Sequence, residues 1–422
     1  MVYVINYKGE PLMPCSNVIA RLLLKQNRAK CIKITPFTIK LLQQTTSYTQ
    51  DLTLGVDTGS SKIGSAVVNS ENEVVYLSEI EIRNDITDKM TQRSKYRRNR
   101  RNRKTRYRKP RWLNRKNSIK SGRFSPTMIS KINSHMKEIN FVKSIMPITK
   151  VILETATFDP HALKNPMVLK NKWLYQKGIN YKFANTKAFV LDRDNHTCQY
   201  CKGKSKENKL EVHHIIFRSN NGSDEQDNLL TLCKTCHDSL HEGKLVLKGG
   251  KIKRQLKHAT QMNSIRIQLL KQIPDVVETF GFITKEHRQL SNLPKEHYID
   301  AVMIACQGIQ VSFKTNLLIV KKCISKGDYQ QTKGVRSQQS IPTGKIRGFR
   351  KFDKVKYLGE EYFIKGRMST GYAILMDIAG SKISFNDAPK GMKTPKMLNM
   401  RRVGARKSWM VTKKMCANSS HD

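Results

Sequence analysis

Two Cys-x-x-Cys pairs, Cys198/Cys201 and Cys233/Cys236, stand with 31 residues between them. Thiolate pairs at this spacing can clamp one Zn2+ between two knuckles, and four sulfurs close the tetrahedron. No position is left for water, so this zinc is expected to hold the fold and do no chemistry. Between and behind the knuckles runs LEVHHIIFRSNNGSDEQDNLLTLCKTCHDSLH, residues 210–241. It carries adjacent histidines, His213 and His214, then Asn228 before a Leu-Leu pair, and His237 and His241 one helical turn apart. An i, i+4 histidine pair on a helix can share a metal ion. Hydrolysis of a phosphodiester needs a divalent cation on the phosphate, a neutral imidazole to take water's proton, and a group that fixes the imidazole. This segment holds residues of each kind.

A second set of candidates is scattered along the chain. Asp57 ends the stretch LTLGVD, ahead of Thr58 and Gly59. An acid at the end of a strand, followed by small residues, suits a metal facing a phosphate, although a lone Asp before a turn is more often a solvated cap. Glu154 ends the apolar run VILE, where an unpaired carboxylate would carry a large desolvation penalty. His297 and Asp300 share one helical turn in EHYIDAVMI.

The elements that must position these residues can be outlined from periodicity. Residues 2–7 alternate like a strand, 16–26 have helical periodicity, and 31–42 alternate again. Residues 52–57, 63–68 and 73–83 read as a three-stranded antiparallel meander. Residues 125–146 look like an amphipathic helix and 151–155 like a short buried strand. Helices are expected over 263–270 and 296–304, the latter with an apolar face, and short strands with turns after about residue 328. Residues 93–116 carry 14 Lys/Arg and no acid. Arginines recur there at every helical angle, so the segment reads as a helix that needs a polyanion on most sides. Tyr96, Tyr107 and Trp112 among them either stack on bases or pack the helix onto a core.

The whole chain has 422 residues and a formal charge of +45, and residues 330–422 alone contribute +14. Self-repulsion of that size asks for a polyanion and argues against an ordinary enzyme of small neutral substrates. No apolar run reaches 18 residues and no signal peptide is recognisable, which removes a membrane-spanning reading. Nine cysteines, four of them in pairs, suit a reduced compartment with a metal site.

The 210–241 segment resembles the HNH nuclease motif. The order Asp57, Glu154, His297-x-x-Asp300 resembles the RuvC-like branch of the RNase H fold. An Arg-rich segment between the first two, with the HNH segment between Glu154 and Asp300, is the layout of CRISPR type II effector nucleases and their transposon-encoded relatives. About 35 residues separate the Arg-rich helix from Glu154, so no large helical lobe fits there. Pro11-Leu12-Met13-Pro14 matches the PLMP motif of IscB proteins. The chain is thereby identified as similar to the IscB family over essentially its whole length.

That resemblance implies an α/β multidomain protein with an RNase H-like (RuvC) core split in three. It implies an inserted ββα-metal HNH zinc module, an Arg-rich bridge helix and a small β-rich C-terminal domain. The expected boundaries are 1–50 for the PLMP domain, 51–87, 118–180 and 248–328 for the RuvC-like parts, 88–117 for the bridge helix, 181–247 for HNH and 329–422 for the last domain. It implies His214 as general base, His213 in a metal position that is often Asp, and Asn228 orienting the base or helping the metal. His237 is a further ligand and His241 a weaker candidate. Asp57, Glu154 and Asp300 would bind paired Mg2+, with His297 a ligand or an activator of water. Arg97, Arg98, Arg100, Arg101, Arg103, Arg106, Arg108 and Arg111 would grip phosphates. Mg2+ or Mn2+ is expected at both centres, with one structural Zn2+. The implied activity is RNA-guided cleavage of double-stranded DNA next to a short flanking motif, by a monomer within a cytoplasmic ribonucleoprotein. HNH would cut the guide-paired strand and the RuvC-like centre the displaced strand. The alternative is a guide-independent HNH endonuclease of the homing or restriction type, which leaves the scattered acids and the Arg-rich helix unexplained.

Overall fold

The computed structural model describes residues 1–102, 123–178, 180–220, 222–247, 256–306, 308, 310–325, 344–389 and 391–416. They form two compact units, Met1–Ala156 with Met262–Asp422, and Thr157–Gln261.

The first unit opens with β1 (Val2–Ile5), β2 (Pro11–Cys15), helix α1 (Asn17–Lys25), β3 (Ala29–Lys33) and β4 (Thr38–Leu41), in a sheet ordered β2-β1-β4-β3. The Pro-Leu-Met-Pro run lies in β2, an edge strand, where a residue lacking an N–H is tolerated. Ser16 caps α1 through its hydroxyl. Next come β5 (Leu52–Asp57), β6 (Lys62–Asn69) and β7 (Glu73–Glu81), then α2 (Ile86–Asn102), α3 (Pro126–Lys143) and β8 (Lys150–Glu154). α2 is the described part of the Arg-rich segment; of its first fourteen residues only Ile86 is buried.

The second unit interrupts the first in sequence. It contains α4 (Pro160–Lys164), α5 (Met167–Lys170), α6 (Thr186–Arg193), β9 (Leu210–His214), β10 (Leu229–Cys233) and α7 (Lys234–His241). β9 and β10 pair antiparallel ahead of α7, a ββα arrangement. The chain continues through α8 (Lys257–Gln272), within which the two units divide, β11 (Val276–Thr279), α9 (Gly281–Leu290), α10 (His297–Cys306), β12 (Ser312–Phe313) and β13 (Leu317–Cys323). The last strands are β14 (Lys354–Tyr357), β15 (Glu360–Arg367), β16 (Ala373–Met376), β17 (Arg401–Gly404) and β18 (Trp409–Met415).

Seven strands of the first unit line up as β11-β8-β5-β6-β7-β13-β18, and β12 adds to β7. β5, β6 and β7 are the expected antiparallel meander. β8 joins β5 in parallel, β11 joins β8 in parallel, and β13 lies parallel to β7. A strand in the middle of such a sheet is covered on both faces, which is why LTLGVD and VILE read as continuous apolar runs. One face of the sheet packs on Ile132, Ile139 and Val142 of α3 and Ile265 and Leu269 of α8. The other packs on α10.

α10 departs from the expected amphipathic pattern. Seven of its residues, including Tyr298, Ile299, Ala301 and Val302, are buried. The reason is close approach: a Cβ on Gly55 would stand 2.2 Å from the Ala301 carbonyl oxygen, and one on Gly64 would stand 1.8 Å from that of His297. Two glycines on neighbouring strands thus let the helix backbone settle onto the sheet. A fully buried ion pair links Lys321 of β13 to Glu138 of α3, with the closest N–O distance 2.6 Å. Tyr76, Ser65 and Ser78 complete the hydrogen bonding of that carboxylate.

The residues after 344 form a four-stranded sheet, β16-β15-β14-β17, around Val355, Ile364, Leu375 and Met397. This agrees with the short strands expected there. β18 then returns to the large sheet beside β13.

Candidate active sites

In the second unit, strand alternation points His213 and His214 to opposite faces of β9. His213 is buried beside His237 and His241 of α7, with ring centroids 5.0 and 5.1 Å away and 4.6 Å between the helical pair. One nitrogen from each can be chosen so that all lie within 4.8 Å of one another. The buried His213 Nε2 has no hydrogen-bond partner. Burial, then the neighbouring His237, His241 and His214, push the His213 imidazole down to about 4, so it is neutral and available as a ligand. His237 Nδ1 lies 3.2 Å from Glu211 Oε2 and, like His213 Nε2, is buried without a hydrogen bond. An orphaned buried nitrogen within a set of three imidazoles fits a bound divalent cation.

On the opposite face His214 Nε2 lies 2.8 Å from Asp224 Oδ1, which also accepts from Arg218 Nε at 2.7 Å. The Asn228 side chain is hydrogen-bonded to neither set among the described residues. Its Oδ1 accepts from Ile216 N at 2.8 Å, and its Nδ2 donates to the Ile216 and Ser223 carbonyls at 3.0 and 2.8 Å. It thereby pins the loop that carries Asp224. The four cysteines converge with their sulfurs within 4.8 Å of one another, Cys201 and Cys233 being 3.8 Å apart. This is the donor set expected for a structural Zn2+. Arg193 braces the module: it pairs with Asp194 at 2.8 Å and donates to the Gln226 and Leu229 carbonyls.

In the first unit Asp57 and Glu154 end adjacent parallel strands in direct register. Asp57 is 8% exposed and meets His297 Nδ1 through Oδ2 at 2.5 Å. That hydrogen bond holds the His297 imidazolium above its ordinary value, against the opposing effect of burial. Burial pushes the Glu154 carboxyl up to about 7; the Asp57 and Asp300 charges add to this, while Thr284 and His297 act against it. Asp300 is also raised, first by burial and then by Asp57, and Arg288 holds it at 2.8 Å. Thr58 Oγ1 donates to the Glu154 carbonyl at 2.6 Å and ties the two strand ends together. Glu154 and Asp300, raised by burial and further by neighbouring carboxylate charge, fit a site for hard cations, because added positive charge offsets both effects.

Of the sequence-based candidates, His213, His237 and His241 form one cluster and Asp57, Glu154, His297 and Asp300 another, while His214 pairs with Asp224 and Asn228 hydrogen-bonds to a loop. Of the arginines, Arg97 and Arg98 are exposed on α2, Arg100 and Arg101 lie in its last turn, and Arg103, Arg106, Arg108 and Arg111 lie outside the described residues. Four residues were not anticipated: Asp224, Glu211, Arg288 and Thr284. Each sits in a stretch whose acids, bases or hydroxyls read equally well as solvated surface.

Two family models match the chain: RRXRR protein over residues 2–178 and HNH endonuclease over residues 198–243. Arg97-Arg98-Asn99-Arg100-Arg101 spells the pattern of the first name. The type IV methyl-directed restriction enzyme EcoKMcrA of Escherichia coli (strain K12) is 31% identical over 106 residues, 24% of this chain and 36% of that one. Streptococcus thermophilus Cas9 in complex with the AGAA PAM gives a TM-score of 0.32 at 12% identity, over 57% of this chain and 32% of that one. The same protein with the AGGA PAM gives a TM-score of 0.30 at 12% identity over the same shares. The chain spans about a third of the length of these relatives. It is a mixed α/β multidomain protein with an HNH endonuclease domain. With the RRXRR domain ahead of that, it fits an IscB-like protein.

Proposed function

We propose that the chain is an RNA-guided, metal-dependent DNA endonuclease with two cutting centres. The observation that carries this reading is the pair of separate constellations in one basic chain: three clustered imidazoles, with His214 next in sequence on β9, and three carboxylates with His297. The sheet order β7-β6-β5-β8-β11, with an antiparallel meander followed by two parallel strands, supports an RNase H-like core. The acids at the ends of β5 and β8 stand where that core would place metal ligands. The expected boundaries of the split core, bridge helix, HNH module and C-terminal domain are kept as part of this proposal.

At the HNH centre, His213, His237 and His241 would hold one divalent cation, which when bound polarises the scissile phosphate. Three imidazoles favour Mn2+ or a later first-row ion over Mg2+. His214 is the general base. With Nε2–H donated to Asp224, Nδ1 is left to accept water's proton, and Asn228 fixes the loop that orients Asp224. At the other centre Asp57, Glu154 and Asp300 would hold Mg2+, with Arg288 positioning Asp300 and His297 beside Asp57 as a ligand or proton acceptor. The HNH centre cuts the guide-paired strand and the carboxylate centre the displaced one. α2 and the C-terminal sheet bind the RNA and the target-flanking DNA by charge, in a monomeric ribonucleoprotein.

Co-expression with the flanking genomic DNA, followed by sequencing of the bound RNA, identifies the guide. On a matched duplex His214→Ala should cut only the displaced strand and Asp57→Ala only the guide-paired strand. Each should lose about 10²–10⁴-fold or more at its own centre. Cleavage at one defined sequence without RNA would favour the restriction-type alternative instead.

A further inference from the structure

β11 leads into α9 through Phe280, the residue that caps the helix, and α9 then opens with Gly281 and Phe282. Both phenyl rings face solvent, at 47% and 69% exposure. They stack on each other with centroids 6.0 Å apart and planes 9° from parallel. Neither belongs to a core cluster among the described residues. Gly281 between them lies against the carboxylate centre: a Cβ there would stand 2.9 Å from Glu154 Oε1. This junction is firmly braced. Thr155 N–H donates to the Thr279 carbonyl at 2.9 Å, and the Thr155 hydroxyl donates to Glu278 at 2.7 Å. Arg266 grips both oxygens of that same carboxylate, at 2.9 and 2.7 Å.

Two parallel aromatic rings, rigidly presented in water next to a phosphodiester-cutting site, suit one kind of occupant. Every nucleobase has a π face, and stacking on aromatic side chains needs no particular sequence. A paired duplex keeps those faces covered, whereas an unpaired strand offers them. The chain's charge of +45 draws in the phosphates that such a strand carries. We propose that Phe280 and Phe282 form a stacking platform that seats an unpaired base of the displaced DNA strand. The platform registers the neighbouring phosphate on Asp57, Glu154 and Asp300. This deepens the reading of that centre given above and rests on it.

The test is single-turnover cleavage of both strands of a matched duplex by the assembled ribonucleoprotein, combined with an abasic scan of the displaced strand. Phe280→Ala/Phe282→Ala should slow displaced-strand cutting about tenfold or more and leave guide-paired cutting within twofold. Phe280→Trp and Phe282→Trp, which keep a stacking face, should stay near the wild-type rate. One abasic position should slow the wild-type protein to a similar degree and add nothing to the double alanine variant, a coupling that a general structural defect would not produce. Unchanged displaced-strand cutting, equal loss on both strands, or additive abasic and alanine effects would each overturn the platform. The Asp57→Ala control separates the two ideas. If it abolishes displaced-strand cutting while the phenylalanine variants do nothing, the platform alone falls. If it leaves that cutting intact, the centre itself is misassigned.

Discussion

Gly281 shows how much a single missing atom matters at the carboxylate centre. A methyl group there has to displace the Glu154 side chain, whose Oε1 would be 2.9 Å away, and not backbone. Gly281→Ala should therefore shift the melting temperature little yet slow displaced-strand cutting by at least tenfold, with guide-paired cutting unaffected. Strand-resolved kinetics beside a thermal melt would check this. Asp57, Glu154, His297 and Asp300 are weak signals one by one, and only their order along the chain, strand Asp, strand Glu, then helical His-x-x-Asp, made them candidates by resemblance. Arg288 was not, since a base in the helical run KEHRQL reads as a solvated face. Asp224 was hidden for a related reason: it is one of three acids in GSDEQD, and only the folded loop selects which one meets His214.

At the scale of elements, α10 delivers His297 and Asp300, and its seat depends on Gly55 and Gly64. A Cβ at position 64 would meet the His297 carbonyl at 1.8 Å, so the helix must lift. Gly64→Ala is expected to destabilise the first unit by about 1–3 kcal/mol, as overpacking does. It should also suppress displaced-strand cutting by moving His297 off Asp57. Chemical denaturation and strand-resolved cleavage would both register it. The ββα element depends instead on its thiolates. Cys233→Ser should lower bound zinc as read by metal analysis, and make residues 157–261 more sensitive to protease. Displaced-strand cutting should survive, because the carboxylate centre belongs to the other unit. Unchanged zinc content would contradict the structural role of that thiolate.

Over the whole molecule, stretches remote in sequence are locked by one buried charge pair. The Lys321 ammonium lies against the edge-to-face pair Phe141 and Trp409, 4.1 and 4.8 Å from their ring centres, and grips Glu138 of α3. Lys321→Met strands the carboxylate in the core and should cost about 3–5 kcal/mol of stability in urea unfolding. Adding Glu138→Leu should recover most of that loss. Burial alone would raise the Glu138 carboxyl, but the Lys321 charge and hydrogen bonds, with those of Ser78 and Ser65, leave it below its ordinary value. A depressed folded-state carboxylate contributes stability that is present above the unfolded value of about 4.3 and is lost as pH falls through the lower folded one. The wild type should therefore weaken more steeply below about pH 4 than the double variant, in parallel urea titrations.

The amino-acid sequence by itself determined the types of chemistry available: a four-thiolate knuckle, clustered histidines, acids at strand ends, and a basic surface that asks for nucleic acid. Those follow from local residue spacing and from charge, which need no fold to be read. It also determined the meander, by its alternation, and pointed to the strand carrying Glu154 and the helix carrying Asp300 by short apolar runs, although the burial of α10 on most sides was not foreseen. Tertiary structure alone decided which residues meet. Parallel pairing of β5 with β8 sets Asp57 beside Glu154. The start of α9 is drawn against Glu154 at Gly281, with Phe280 and Phe282 to either side of that approach. Such contacts join residues tens to hundreds of positions apart. They depend on register and close approach, which are properties of the packed sheet and helices and leave no mark in any single stretch of sequence.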